Sequence, residues 1–206
     1  KRRSPSKPQI KLQSRVAEVA SGYEAAGVAA MSVLTNSQYF GGSIEDLLLA
    51  RSACSLPLLR KEFIVDAYQI HEAKAYGADA ILLIAACLTP TEIIKHAKTA
   101  RSIGLEVLLE VHNEEELKTA PLSTIDVIGV NNRNLKDFSV SIETSVELAK
   151  LIPTEMVKIS ESGISSHDAI KTLESVGYNG FLIGEHFMLH QNPGKAAKTF
   201  IKNFAL

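Results

Sequence analysis

The chain has 206 residues, 46% of them hydrophobic, with 22 Lys and Arg against 23 Asp and Glu, a formal net charge of -1. That balance excludes the broad basic excess on which counterion-driven nucleic-acid binding depends, and no apolar run approaches the length of a membrane-spanning helix. Only Cys54 and Cys87 are present, far apart in sequence, which excludes a disulfide framework and fits a reducing compartment, so the expected location is cytoplasmic, with no nucleic-acid partner and no membrane.

The chain opens on KRRSPSK, four cations around Ser-Pro-Ser, and continues with the polar KPQIKLQSRVAEVA, which lacks the apolar stretch of a signal peptide. Taken alone, such a cluster reads as a solvated tail. From there one phrase recurs: an amphipathic helix, a Gly, a short apolar run. It appears as EAAGVAAMSVL, KAYGADAILLI, RSIGLEVLLEV and ESVGYNGFLIG, with Gly27, Gly77, Gly104 and Gly177 where a helix needs a left-handed residue to stop. The helices carry a 3.6-residue stripe, as in Ile94, Ala97, Ala100 and Ile103, or in Ile170, Leu173 and Val176.

The apolar runs predict seven strands, at 28–34, 56–60, 80–84, 106–110, 127–131, 157–161 and 180–183. Nearly continuous in Val, Ile, Leu and Ala, they fit strands covered on both faces. Strict alternation with helices predicts a parallel α/β sheet, either doubly wound or closed as a (β/α)8 barrel. Seven is one short of a barrel. The expected architecture is a single (β/α)8 TIM-barrel domain over residues 1–206 whose strand one is missing from the chain, KRRSPSK then being the loop that leaves that strand.

In such a barrel the informative positions are the polar residues that close each strand. LPLLRKEF ends in Lys61, EVLLEV presents Glu110, VIGVNNRN presents Asn131 and Arg133, KISESG presents Glu161, and the opening loop adds Lys1. A Lys in an apolar setting serves as a proton donor, or as a Schiff-base nucleophile when its pKa is depressed, and a neighbouring Glu keeps it charged and suited to the acid role. Two carboxylates set apart allow one to take a proton while the other holds a hydrogen-bond network. The set points to acid-base work on a carbonyl compound. SESGIS and FLIGEHF each close a strand on a Gly that leads into a helix, so the NH groups of Gly163 and Gly184, with the Ser162 hydroxyl, are the candidate phosphate cup. The expected substrate is therefore a phosphorylated small molecule with a carbonyl. His186 and His190 stand four apart with no third ligand nearby, and no metal is expected.

KRRSPS, SVLTNSQYFGGS, LPLLRKEFIVDAYQI, GADAILLIAACL, GLEVLLEVHNEEEL, IGVNNRNLKDF, KISESGI and GFLIGEHFM together resemble, in order and spacing, the indole-3-glycerol phosphate synthase family, from Lys1 to about Met188. The resemblance implies a cofactor-free lyase of tryptophan biosynthesis. It would convert 1-(2-carboxyphenylamino)-1-deoxyribulose 5-phosphate to indole-3-glycerol phosphate with loss of carbon dioxide and water. By motif it makes Lys61 the general acid on the ketone and Glu110 the base of the later dehydration. It gives Lys1 the substrate's anionic groups and the leaving hydroxyl, and has Asn131 and Glu161 hold the sugar hydroxyls and orient Lys61. Arg133 and Ser4 fall among the substrate-binding residues, and Phe40, Phe63 and Leu82 wall the slot for the anthranilate ring. For Phe40 and Phe63 an ordinary core role competes with that reading.

Two departures stand out. Glu185 follows Gly184, in the phosphate-binding stretch, where the family often has a small residue such as Ser. The family's catalytic Glu ahead of the position of Lys1, and the helical extension before it, have no counterpart in the chain, which the resemblance implies is monofunctional or cut from a longer tryptophan-pathway protein. Two other readings are a non-catalytic phosphosugar-binding barrel and another phosphosugar barrel enzyme such as phosphoribosylanthranilate isomerase. Lys61 and Glu110 weigh against the isomerase.

Overall fold

The computed structural model describes residues 1–5, 7–11 and 13–204, so Ser6 of the KRRSPSK segment lies outside the described residues. In chain order come α1 (Val16–Ala26), β1 (Met31–Leu34), α2 (Ser37–Phe40), α3 (Ile44–Ala53), β2 (Leu58–Lys61), α4 (Ala67–Ala75) and β3 (Ala80–Ile84). They are followed by α5 (Pro90–Ser102), β4 (Glu106–Val111), α6 (Glu114–Thr119), β5 (Val127–Asn131), α7 (Glu143–Ala149), β6 (Val157–Glu161), α8 (His167–Ser175), β7 (Gly180–Leu182), α9 (Glu185–Met188) and α10 (Pro193–Phe204). The strands lie in one sheet in the order β1-β2-β3-β4-β5-β6-β7, and the registered pairs are parallel. A doubly wound sheet reverses its strand order at a switch point. The unbroken sequential order is that of a (β/α)8-barrel fold, with seven strands among the described residues.

The helix stops fall where the sequence placed them: Gly27, Gly77, Gly104 and Gly177 all have φ between 71° and 90°. Several boundaries move, each for a local reason. Val28 donates to Tyr23 O and Gly27 to Glu24 O, so the first residue expected in β1 belongs to the end of α1. Pro57 has no N–H to give a ladder, and β2 begins after it and runs on through Lys61, which pairs with Leu34. β7 ends at Leu182 because its partner Glu161 is the last residue of β6. In α5 the buried face is Ile93, His96, Ala97 and Ala100 rather than the stripe through Ile94 and Ile103.

The chain divides into two compact units, one of Lys1–Glu62, His71–Ile81 and Gly184–Leu206, the other of Phe63–Ile70 and Leu82–Ile183. In the first, α1 and α10 cross with their backbones touching. A Cβ on Gly194 would lie 2.7 Å from the Gly22 carbonyl. Phe187 of α9 fills the space beside them, its ring edge-on to Tyr23 at 6.2 Å and to Phe200 at 5.5 Å. In the second unit β4, β5 and β6 form the central ladder, and Val107, Leu109, Ile128 and Val130 are fully buried in it. Burial on both faces explains why these strands read as continuous apolar runs.

Candidate active site

In the first unit the opening segment is packed, not a loose tail. Arg2 pairs bidentately with Asp46, one bond of 2.9 Å running from Nη2 to Oδ1, and donates from Nη1 to Gly41 O at 2.9 Å. Asp46 also accepts from Ser43 N at the start of α3, so one carboxylate caps the helix and holds the segment. Arg3 binds Ser37 O at 2.7 Å through its guanidinium, and its backbone N–H reaches Phe40 O at 3.3 Å. Ser4, 6% exposed, exchanges both backbone bonds with Lys7 and so closes a tight turn.

That turn carries Lys1 and Lys7 to Glu185 of α9, with Nζ–O distances of 3.5 and 2.6 Å. Burial opposes the charge on Glu185, but Lys7 and Lys1 outweigh it and hold the carboxyl below its ordinary range. Glu185 therefore faces the basic segment. Gly184, just before it, is the N-cap of α9. His186 and His190 stack edge-on at 5.5 Å, and His186 meets Phe200 at the same distance. Among the described residues no group of three or more His, Cys, Asp or Glu could hold a metal ion.

Lys61 closes β2, half-buried, and accepts Thr35 N–H on its carbonyl at 3.3 Å. Its neighbours Arg60 and Glu62 are committed elsewhere. Arg60, 4% exposed, pairs with Glu72 at 2.7 Å, and Glu62 accepts from Thr35 Oγ1 and Asn36 Nδ2 at 2.8 and 2.9 Å. In a strand successive side chains point to opposite faces, so a buried, paired Arg60 puts Lys61 on the other face. Phe40, the last residue of α2, is half-buried.

In the second unit Glu110, Asn131 and Glu161 stand at the C-terminal ends of three adjacent strands. The register sets Glu110 opposite Gly129 and Asn131 opposite Glu161. Asn131 donates from Nδ2 to Glu110 Oε1 at 3.2 Å while its Oδ1 accepts Arg133 N–H at 3.0 Å, so the amide is oriented from behind. Gly129 leaves room for the Glu161 carboxylate, which a Cβ there would strike. Glu110 and Glu161 are 5% and 2% exposed, and buried carboxylates at strand ends are candidates for a functional site. Arg133 donates from Nη1 to Phe138 O at 3.1 Å and bridges to Val140. Phe63 is half-buried, and Leu82 is a core residue at 2% exposure.

After β6 the backbone turns sharply: Ser162 and Gly163 both have positive φ, 68° and 74°. Val140 covers the turn so closely that any side chain at Gly163 would collide with it. Ser162, which is not a Gly, is held in this uncommon conformation by Asn132 Nδ2, which donates to Ser162 O at 3.1 Å.

Sequence reasoning passed over three groups. Asn132, next to the candidate Asn131, is a scaffold residue: it is 2% exposed and bonded to Ser160 Oγ and to both the N–H and the Oγ of Ser145. His112, directly after β4, lies with Nε2 3.2 Å from Glu110 Oε1 and Nδ1 3.2 Å from Glu116 Oε2. Glu116 is fixed by helix capping, because Asn113 accepts Glu116 N–H while the Glu116 carboxylate accepts His112 N–H at 2.8 Å and Asn113 Nδ2 at 2.7 Å. The Asn-x-x-Glu spacing in HNEEEL was the sequence signal for that cap.

The family profile described as indole-3-glycerol phosphate synthase matches residues 1–200. The indole-3-glycerol phosphate synthase of Bacteroides thetaiotaomicron is 48% identical over 202 residues, covering 98% of this chain and 77% of that protein. That of Variovorax paradoxus is 43% identical over 206 residues, with the same 98% and 77% covered. Among solved structures, thiamine phosphate pyrophosphorylase from Pyrococcus furiosus superposes with a TM-score of 0.72 at 17% identity, over 95% of this chain and 91% of that one. A lactate oxidase of Pediococcus acidilactici reaches a TM-score of 0.73 at 16% identity, over 92% of this chain and 64% of the other. These two likenesses concern the fold alone.

Proposed function

The chain belongs to the indole-3-glycerol phosphate synthase family, and from that premise we propose how its own residues carry the family's reaction. The activity is that of a carboxy-lyase of tryptophan biosynthesis acting on a phosphorylated small molecule. In it, 1-(2-carboxyphenylamino)-1-deoxyribulose 5-phosphate closes to indole-3-glycerol phosphate with loss of carbon dioxide and water.

Lys61, at the end of β2, protonates the ketone oxygen while the ring carbon bearing the carboxylate attacks the carbonyl. Carbon dioxide leaves from that carbon and the ring regains its aromaticity. Glu110 then takes the proton lost in the dehydration, and Lys1 supplies one to the departing hydroxyl. Asn131 and Glu161 hold the sugar hydroxyls, Ser162 and Gly163 receive the phosphate together with Gly184, assigned by motif, and Arg133 adds positive charge. Phe40, Phe63 and Leu82 are assigned to the aromatic ring.

The observation that carries this reading is the alignment of Glu110, Asn131 and Glu161 at the ends of β4, β5 and β6, with Asn131 bonded to Glu110 at 3.2 Å. Lys61→Met tests it. Loss of a positioned acid lowers turnover by roughly two to four orders of magnitude, read as the fluorescence of indole-3-glycerol phosphate, with a much smaller change in KM. Near-normal turnover in that variant removes Lys61 from the mechanism.

A further inference from the structure

We propose that His112 is a positioning residue for Glu110: held as a cation between Glu110 and Glu116, it fixes the Glu110 carboxylate and keeps it ionised for its step. The inference rests on the reading of Glu110 as the catalytic base. Three observations carry it.

The first is geometric. Glu110 Oε1 lies 3.2 Å from Asn131 Nδ2 and 3.2 Å from His112 Nε2. Of these two, His112 is the one that brings a charge. Its approach is off-axis, close enough for an ion pair yet outside hydrogen-bond alignment, an arrangement common in ligand-free sites that tighten around substrate.

The second is the outer leg. A lone imidazole beside one carboxylate is free to turn, but Nδ1 of His112 meets Glu116 Oε2 at 3.2 Å, and Glu116 is itself locked by the α6 cap. The ring therefore has a carboxylate at each nitrogen, and only the doubly protonated imidazole offers a proton to both.

The third is burial. The side chains of Glu110 and His112 are 6% and 7% exposed and that of Glu116 is 18% exposed. Screening by water is weak in such a place, and a cation between the two carboxylates favours the charged form of each. Burial works against the charge on His112, but the two carboxylates more than outweigh it and raise its pKa to about 9. Cys87 also faces the cluster; its thiol is pushed up by burial and by the charges of Glu110 and Glu116, so it stays neutral and adds no competing charge.

The test uses His112→Gln, Glu110→Gln and the double variant in the full-length enzyme, with turnover followed by indole-3-glycerol phosphate fluorescence. Misplacing a reacting group by a fraction of an ångström to an ångström costs up to about a hundredfold, so His112→Gln should lower kcat roughly ten- to a hundredfold and leave KM within about threefold. The acid limb of its kcat profile should move to higher pH, because Glu110 has lost a cation 3.2 Å from its carboxylate. In the Glu110→Gln background the same substitution should change nothing further. An unshifted acid limb, or a full additional loss in the double variant, overturns the proposal even where His112→Gln lowers the melting temperature. Near-normal turnover in Glu110→Gln instead overturns the assignment of Glu110 as base, and the proposal falls with it.

Discussion

Asn131 donates to Glu110 across the β4–β5 boundary at 3.2 Å while its carbonyl oxygen is held by the Arg133 N–H at 3.0 Å, so one amide both grips and aims the carboxylate. Asn131→Asp keeps the acceptor for Arg133 N–H and replaces the donor with a like charge. It should lower kcat by roughly a hundredfold, more than Asn131→Ala does, because repulsion is added to a lost hydrogen bond. Steady-state kinetics of the two variants decide the matter. An Asp variant more active than the Ala variant contradicts the role given to the amide.

Gly129 is the residue that lets Glu161 lie flat over β5. A Cβ there meets Glu161 Oε1 and comes within 3.0 Å of Leu108 Cδ2. Overpacking of a buried site costs about 1–3 kcal/mol, so Gly129→Ala should lower the melting temperature by several degrees, at about 2–4 °C per kcal/mol for a chain of this size. It should reduce turnover as well, since it displaces Glu161. Thermal unfolding and activity measured on the same sample test both parts.

Glu185 occupies two cations, Lys1 and Lys7, that an anionic substrate also attracts. In Glu185→Ser both lose that carboxylate. KM should fall or stay level, and inorganic phosphate should inhibit at lower concentration. Partly exposed ion pairs contribute about 0–1 kcal/mol, so the melting temperature should shift little. A higher KM in this variant means that Glu185 organises the segment for binding and does not compete with substrate.

His112 and Glu116 also predict how stability depends on pH. His112 has a folded pKa raised from 6.5 to about 9, so its contribution is fully present below 6.5 and is lost as pH rises through about 9. Burial raises the pKa of Glu116, but the bonds from His112 outweigh that and leave it below its usual value, so its contribution is present above about 4.5 and lost as pH falls through the lower folded value. The gap in melting temperature between the parent and His112→Gln should therefore be widest between about pH 5 and 6.5 and close toward pH 9 to 10. A gap that stays constant across that range means that the imidazole acts there by packing alone.

Local patterning was enough to read out the alternation of helices and strands, the four glycines that end helices, and the residues at the strand mouths. These depend on short-range physics: a left-handed residue after a helix, continuous apolar runs for strands buried on both faces, and a polar side chain wherever such a strand ends. The doubled Asn of NNRN shows where that reading stops. Asn131 faces Glu110 and Asn132 faces Ser160 and Ser145, and no composition or spacing distinguishes them, because strand alternation sends equal side chains to opposite faces and only packing says which face holds the scaffold. His112 was equally hidden. Its neighbours Glu110 and Glu116 lie two residues before it and four after: the first spacing shares a face in a strand and the second in a helix, so neither element alone brings both to the imidazole, and the turn between β4 and α6 joins them. Strand order was the other tertiary decision: the same alternating elements suit a doubly wound sheet or a barrel fold, and the choice rests on which strands share hydrogen bonds.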